Sequence, residues 1–285
     1  MTPRTLYDWT CKNRTLKLGE RTLVMGILNV TPDSFSDGGH FSDPSAAVER
    51  ALQMVEEGAD LIDIGGESTR PGAEPISVAD EIKRTIPVIR RLRAISDVPI
   101  SIDTMKAETA FQAVEAGADI INDVSAFEAD PEMAHIAAKT KAGVILMHMK
   151  GSPKTMQDDP YYGNVVQEIQ HYLKVRMDYA TEMGVEANRI MIDPGIGFGK
   201  TVEHNMELLR GIPMFGKKAP VLIGASRKSL ISHLLNRDDP AQRLAGSLGL
   251  AGWAAMSGAH ILRVHDVIDT CDVCRIMDTL LKGDL

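Results

Sequence analysis

Apolar residues in this chain gather into short continuous runs, and between the runs they recur at helical spacing. The runs lie at 23–29, 60–65, 99–103, 119–123, 143–148, 189–193, 220–225 and 260–265. Runs this short and this apolar read as strands covered on both faces, the kind that fill a parallel sheet. Helical patterns separate them near 45–57, 77–95, 106–116, 131–141, 161–183, 203–210, 227–256 and 267–282, the seventh interrupted around Asp239-Pro240. Eight strand–helix units in 285 residues fit a (β/α)8 TIM barrel better than an open doubly wound sheet. No linker breaks the series, so the pattern predicts one α/β domain over residues 23–285. Residues 1–22 are left over as a short N-terminal arm or hairpin.

A weak internal repeat sharpens that picture. Gly58-Ala59-Asp60-Leu61-Ile62-Asp63, Gly117-Ala118-Asp119-Ile120-Ile121-Asn122 and Gly258-Ala259-His260-Ile261-Leu262-Arg263 share one frame. The glycine suits the left-handed residue that ends a helix, and the apolar pair begins the next strand. Five residues after each glycine stands Asp63, Asn122 or Arg263, and two further on Gly65, Val124 or His265. Side chains alternate faces along a strand, so these polar groups are predicted to point inward near the carboxyl ends. Asn29, Asp103 and Asp193 close three more strands in the same way. A single Asp at a strand end is ordinarily the N-cap of the next helix. Six strands ending in polar groups predict instead a site at the face where barrels of this type carry one.

Composition narrows what such a site can meet. Hydrophobic residues make up 44% and charged residues 25%, ordinary for a globular chain, and the net charge is −8. No global basic field exists to hold nucleic acid or an anionic membrane, so an anionic ligand needs a local cluster of Arg, Lys and His. Met1 to Arg21 contain no apolar signal core, and no run of about 18 apolar residues occurs, so a cytoplasmic protein is expected. The three cysteines suggest no disulfide framework. Cys271 and Cys274 form a lone CxxC with no further ligands at metal spacing, inside the helical pattern Val267, Ile268, Cys271, Cys274, Met277 and Leu281, and read as helix packing.

The predicted site has two electrostatic halves. Asp103, Asn122 and Asp193 suit a flat heterocycle with an amino-pyrimidinone edge, because a carboxylate accepts two parallel N–H bonds. Asn29, Arg70, Arg263 and His265 suit a polyanion, and Asn29 could also offer an oxygen to magnesium. The segment Gly224-Ala225-Ser226-Arg227-Lys228-Ser229 runs into a helix, whose free N–H groups favour a carboxylate. The glycine-rich stretch Asp193 to Lys200 is neither a Walker loop nor a dinucleotide fingerprint. His148, at the end of the fifth strand, is open between a structural histidine and a ligand contact.

Two loops then stand out. Asn29-Val30-Thr31-Pro32-Asp33-Ser34-Phe35-Ser36-Asp37-Gly38-Gly39 is too polar for a core and too long for an ordinary strand–helix loop; Gly65-Gly66-Glu67-Ser68-Thr69-Arg70-Pro71-Gly72 follows the next strand. Both resemble signatures of the dihydropteroate synthase family, and the resemblance extends over about residues 22 to 268. Further motifs arrive in family order: Ser101-Ile102-Asp103-Thr104, Ile121-Asn122-Asp123-Val124, Met147-His148-Met149, Asp193 to Lys200, Ser226-Arg227-Lys228-Ser229 and Arg263-Val264-His265-Asp266-Val267. The resemblance implies that Asp103, Asn122, Asp193 and Lys228 bind a pterin, with Arg263 stacking on its ring. It implies that Asn29, Arg70, Arg263 and His265 hold pyrophosphate with Mg2+, Asn29 being the metal ligand. Phe35, Thr69, Pro71, Phe198, Lys228 and Ser229 are the implied p-aminobenzoate pocket, and Asp37 belongs with the catalytic residues. A homodimer is also implied. No insertion of the kind found in sulfonamide-insensitive relatives lies near Phe198.

The implied reaction condenses 6-hydroxymethyl-7,8-dihydropterin pyrophosphate with p-aminobenzoate to give 7,8-dihydropteroate and pyrophosphate. No strong general base stands beside the weakly nucleophilic aryl amine, so leaving-group departure is expected to dominate. Two alternatives remain at this point: a methyltetrahydrofolate–corrinoid methyltransferase of the same barrel family, and a non-catalytic pterin-binding module. The first has no need for a pyrophosphate cluster.

Overall fold

A computed structural model describes residues 4–31, 44–68, 72–151 and 154–282. The arm is a hairpin: β1 (Tyr7–Cys11) and β2 (Arg14–Leu18) pair antiparallel. The barrel strands are β3 (Leu23–Asn29), β4 (Leu61–Gly65), β5 (Ile100–Asp103), β6 (Ile120–Asp123), β7 (Gly143–Met147), β8 (Ile190–Asp193), β9 (Leu222–Ile223) and β10 (Ile261–Val264). They run parallel in the order β8-β7-β6-β5-β4-β3-β10-β9. A parallel bridge between Ile192 and Val221, with the Ile192 N–H donating to Pro220 O at 3.0 Å, closes β8 onto β9. The sheet is thereby brought round into a nearly closed ring.

Helices α1 (Pro44–Glu56), α2 (Val78–Ile95), α3 (Ala107–Ala116), α4 (Met133–Thr140), α5 (Val165–Glu182), α6 (Val202–Arg210), α7 (Ile212–Phe215), α8 (Ser229–Leu235), α9 (Leu244–Met256) and α10 (Val267–Lys282) surround it. Several begin where a short polar side chain takes up a free N–H: Ser77 caps α2, Asn164 caps α5 and Thr201 caps α6. The Asn164 cap explains why the helix expected from 161 begins only after it; the helix near 203–210 ends at Gly211, which separates it from the turn α7. The expected long helix over 227–256 is indeed broken. Asn236, left-handed at φ 52°, ends α8, and Asp239 caps a 3-10 turn at Pro240–Arg243 before α9. β9 is shorter than its apolar run because Pro220 lacks an N–H and the Val221 N–H goes to His260 Nδ1 at 3.1 Å.

Two cores result. Outward side chains of the strands pack against the helices, as Ile62, Ile64, Ile100, Ile102 and Val144 do. Inward side chains Met25, Leu61, Ile120, Ile145, Met191, Leu222 and Ile261 form an apolar layer, closed from below by Trp9, Cys11 and Leu18 of the hairpin. The fit is close: a Cβ on Gly143 would lie 2.4 Å from Cys11 Sγ. Trp9 is 1% exposed and donates through Nε1 to Arg189 O at 2.9 Å. His260 ties the plug to β9: with Nδ1 occupied by the Val221 N–H, Nε2 donates to Thr5 O at 2.9 Å. Burial lowers its pKa to about 4, so the ring is neutral. The third residue of the sequence repeat, Asp60, Asp119 or His260, thus finishes the hydrogen bonding of the closed end, Asp60 accepting from Val24 N and Asp119 from Ile100 N. The sixth residue faces the open end.

Candidate active site

Above the apolar layer the inward positions turn polar. Asp63 on β4, Ser101 and Asp103 on β5, Asn122 on β6 and Asp193 on β8 are all buried, and Arg263 on β10 reaches across to them. Arg263 Nε donates to Asp63 Oδ2 at 2.6 Å, and its Nη2 to Asp103 Oδ2 at 2.7 Å. Asn122 Nδ2 donates to the same Asp63 oxygen at 3.2 Å. One fully buried carboxylate therefore aligns an arginine and an amide from opposite sides of the ring. Asp63 Oδ1 and Ser101 Oγ, on paired positions of β4 and β5, have no hydrogen-bond partner among the described residues.

Burial dominates the electrostatics. It raises the Asp103 carboxyl well above the ordinary range, Arg263 opposing and Asp63 assisting the shift. It raises Asp193 as well, against the opposing pull of Lys228. Lys228 is lowered by burial to about 8, with Asp193 holding it up. Burial alone would lower Arg263, but Asp63 and Asp103 outweigh it and the guanidinium stays charged. Two acidic strand ends and two basic groups thus share one desolvated mouth, where each charge is stronger than it would be in water.

The turns after β8 and β9 bring in the remaining groups. The Gly195 N–H donates to Asp193 Oδ1 at 2.7 Å, which leaves Oδ2 as the acceptor free for a ligand. Lys228 Nζ donates to Ile196 O and lies 4.3 Å from the centre of the Phe198 ring. Lys228 is aimed there by Arg227, a non-glycine residue at φ 57°. That conformation costs about 1–2 kcal/mol. It is held by the Arg227–Asp266 ion pair, by Ser247 Oγ accepting from its N–H and by Arg243 donating to its carbonyl. Ser229 is exposed at the start of α8, which is only seven residues long. What this segment offers an anion is therefore the free N–H groups of a first turn. Ser226 Oγ accepts from the His265 N–H at 3.3 Å and lies 3.1 Å from its Nδ1, tying His265 to the same rim.

Asn29 ends β3, half-buried, opposite Gly65, and by strand parity shares the inward face with Met25. Phe35, Asp37, Thr69, Arg70 and Pro71 lie outside the described residues. The stem of the second loop is anchored: Arg84 donates to Gly66 O, and Lys106 joins Glu67 to the buried Glu81. Among the described residues no group of three His, Cys, Asp or Glu side chains could hold a metal. A lone carboxamide such as Asn29 fits only an ion that brings most of its ligands with it, as magnesium does with phosphate oxygens and water.

Two residues go beyond what the sequence pattern assigns to the site. Strand parity in the repeat makes Asp63 inward and polar, but only the closed barrel makes it the group that orients Arg263 and Asn122. Lys200 ends the glycine-rich stretch and is 3% exposed, with its amine 3.0 Å from His148 Nδ1. His148 itself is buried beneath that stretch, edge-on to Tyr172 with ring centres 4.7 Å apart, which is the structural alternative. Cys271 and Cys274 are buried, unpaired, and have thiols raised by burial to about 11 and 12, consistent with helix packing.

Residues 25–265 match the family described as pterin binding enzyme. A dihydropteroate synthase from a Synechocystis strain is 47% identical over 280 residues, covering 98% of this chain and 94% of that one. A Xanthomonas albilineans dihydropteroate synthase solved with 4-aminobenzoic acid is 45% identical, with a TM-score of 0.90, 97% of this chain and 99% of that one covered. A structure of the Xanthomonas enzyme in complex with 7,8-dihydropteroate gives a TM-score of 0.85 at 42% identity, covering 95% and 97%.

Proposed function

We propose, since the chain belongs to the family of pterin binding enzymes and within it to the dihydropteroate synthases, how its own residues carry the reaction. That reaction joins 6-hydroxymethyl-7,8-dihydropterin pyrophosphate to p-aminobenzoate and releases pyrophosphate, a transferase step of folate biosynthesis. The observation that carries the assignment of roles is the convergence of Asp103, Asn122, Asp193 and Arg263, from four strands, and of Lys228, from the turn after β9, on one mouth.

Asp193, with one oxygen committed to Gly195, presents the other to the amino and ring N–H groups of the pterin; Asn122 and Asp103 complete that edge. Lys228, held between Ile196 O and the Phe198 ring, donates from the opposite side. Arg263 is fixed by two carboxylates with its guanidinium plane set, so it offers a flat cation to the pterin ring and its remaining N–H groups to the leaving phosphate. His265, Asn29 and Arg70 receive pyrophosphate at the rim. Magnesium, when bound through Asn29, supplies charge neutralisation to the departing oxygens. These groups stabilise negative charge as it grows, and the carbon–oxygen bond breaks ahead of attack by the amine. Phe198 and Ser229 border the p-aminobenzoate site, to which the family resemblance adds Phe35, Thr69 and Pro71, with Asp37 assigned by the same resemblance to stabilising the electron-poor methylene.

Among the described residues no helix is long and apolar enough to cross a membrane. The exposed apolar side chains Leu234, Leu235 and Trp253 on α8 and α9 support a homodimer. The test of function is pyrophosphate release on mixing the two substrates with magnesium. A methyltransferase or a binding module would release none.

A further inference from the structure

The loop after β8 contains no regular element, yet its backbone is almost fully engaged. Gly195, Gly197 and Gly199 are all left-handed, at φ 69°, 84° and 65°, so the carbonyls between them splay apart and no ladder can take them. Side chains take them instead. Ile196 O accepts from Lys228, Gly197 O from Gln157 at 2.7 Å, Phe198 O from Lys200 at 2.7 Å and Gly199 O from the Tyr162 hydroxyl at 2.8 Å. The Gly197 N–H donates to Asn205 Oδ1 at 2.7 Å. The loop also has no room to rise: a Cβ on Gly195 would stand 1.9 Å from His148 O.

Lys200 is the unusual member of this set. An ammonium removed from water is costly unless its donors are used. Here three acceptors surround the amine, Phe198 O at 2.7 Å, His148 Nδ1 at 3.0 Å and His148 O at 3.4 Å, while burial pulls its pKa well below the ordinary lysine range against the opposing pull of Asp193. His148 is itself fixed, its N–H donating to Asp193 O at 3.0 Å and its ring lying against Tyr172. The buried amine thus ties the end of β7 to the carbonyl of the one loop residue whose ring meets Lys228.

We propose that Lys200 is a positioning residue for the second substrate. By holding the Phe198 carbonyl to His148 it sets the height of the Phe198 ring, and so the affinity for p-aminobenzoate, while touching neither substrate. This rests on the reading above that Phe198 borders the p-aminobenzoate site.

Lys200→Met keeps the stem and removes all three donors. The KM for each substrate is measured by pyrophosphate release, and the affinity for the pterin substrate alone by calorimetry. The KM for p-aminobenzoate is expected to rise about ten- to a hundredfold, the range that leaving buried acceptors without a donor corresponds to. The KM and affinity for the pterin substrate are expected to stay within about threefold, as for a contact that serves only one ligand. Equal losses for both substrates, or an unchanged KM for p-aminobenzoate, overturn the proposal. If Lys200→Met does not fold, Lys200→Gln and His148→Gln are read by the same split, each removing part of the tie. A wild-type protein that releases no pyrophosphate from the two substrates overturns the function and with it this role, whereas failure of the KM split in an active protein overturns the role of Lys200 alone.

Discussion

Replacing Asp63 by Asn isolates the group that the site depends on without being expected to touch a substrate. Asp63 is fully buried, and its Oδ2 takes both Arg263 Nε at 2.6 Å and Asn122 Nδ2 at 3.2 Å. An asparagine keeps the shape: its oxygen can remain under Arg263, and its amide nitrogen replaces the Oδ1 that, like the neighbouring Ser101 Oγ, has no hydrogen-bond partner among the described residues. What is lost is the charge. A hydrogen bond between charged partners contributes about 1.5–3 kcal/mol and a neutral one about 0.5–1.5, so the Arg263 contact weakens by about 1–2 kcal/mol. If Arg263 must be held flat for both pterin and leaving group, kcat/KM for the pterin substrate falls roughly five- to thirtyfold. A second effect separates this from general damage. Asp103 is raised chiefly by burial, with Arg263 opposing and Asp63 adding to the rise. Without the Asp63 charge, Arg263 answers Asp103 alone and the Asp103 pKa falls. The acid limb of the pH profile of kcat/KM, set by ionisation of the pterin-facing carboxylate, should move to lower pH. Stability carries the same sign. A carboxyl raised in the folded state holds its proton there after the unfolded chain has lost it, so its contribution to stability declines as pH rises from the ordinary carboxylate range through the raised value. In the variant that decline should flatten. A profile with wild-type height and an unmoved acid limb would show that Asp103 alone holds Arg263, and that Asp63 is only a filler of the barrel.

Other expected outcomes are as direct. Asp193→Asn should weaken pterin binding by roughly 1.5–3 kcal/mol in calorimetry, because the amide keeps a single acceptor for Gly195 and a ligand that donates twice; unchanged affinity removes Asp193 from the pterin edge. Arg263→Lys should lower kcat/KM by more than about tenfold despite the retained charge, since one ammonium cannot meet Asp63 and Asp103 and still present a plane. A near-normal rate of pyrophosphate release would make Arg263 merely structural. Trp9→Ala should cost about 3–5 kcal/mol in denaturant unfolding yet leave both KM values alone where the protein is folded, because Trp9 plugs the end of the barrel away from the site. A changed KM would mean that the closed end communicates with the open one. Last, p-aminobenzoate should bind more tightly once magnesium pyrophosphate is present, and by linkage should tighten pyrophosphate by the same factor; equal titrations with and without magnesium pyrophosphate would show two independent pockets.

The strand and helix series was legible because each apolar run and each helical period is a local property, and eight of them leave few ways to bury every face at once. The inward direction of Asp63, Asn122 and Arg263 was legible for the same reason: strand parity needs only the sequence. Element ends were less so. Val165 rather than 161 begins α5 because Asn164 captures the Gln167 N–H, and β9 is cut short because a histidine 39 residues away takes the Val221 N–H.

The partnerships inside the site were not legible at all. Asp63 holding Arg263 spans 200 positions, and Lys200 meeting His148 spans 52. No local pattern encodes which polar group meets which once the ring has closed. Parity says that a charge points inward; only the closed barrel, by its register and its exclusion of water, says which opposite charge it finds there. That pairing decides which carboxylates stay free to meet a substrate and which are consumed in orienting a neighbour.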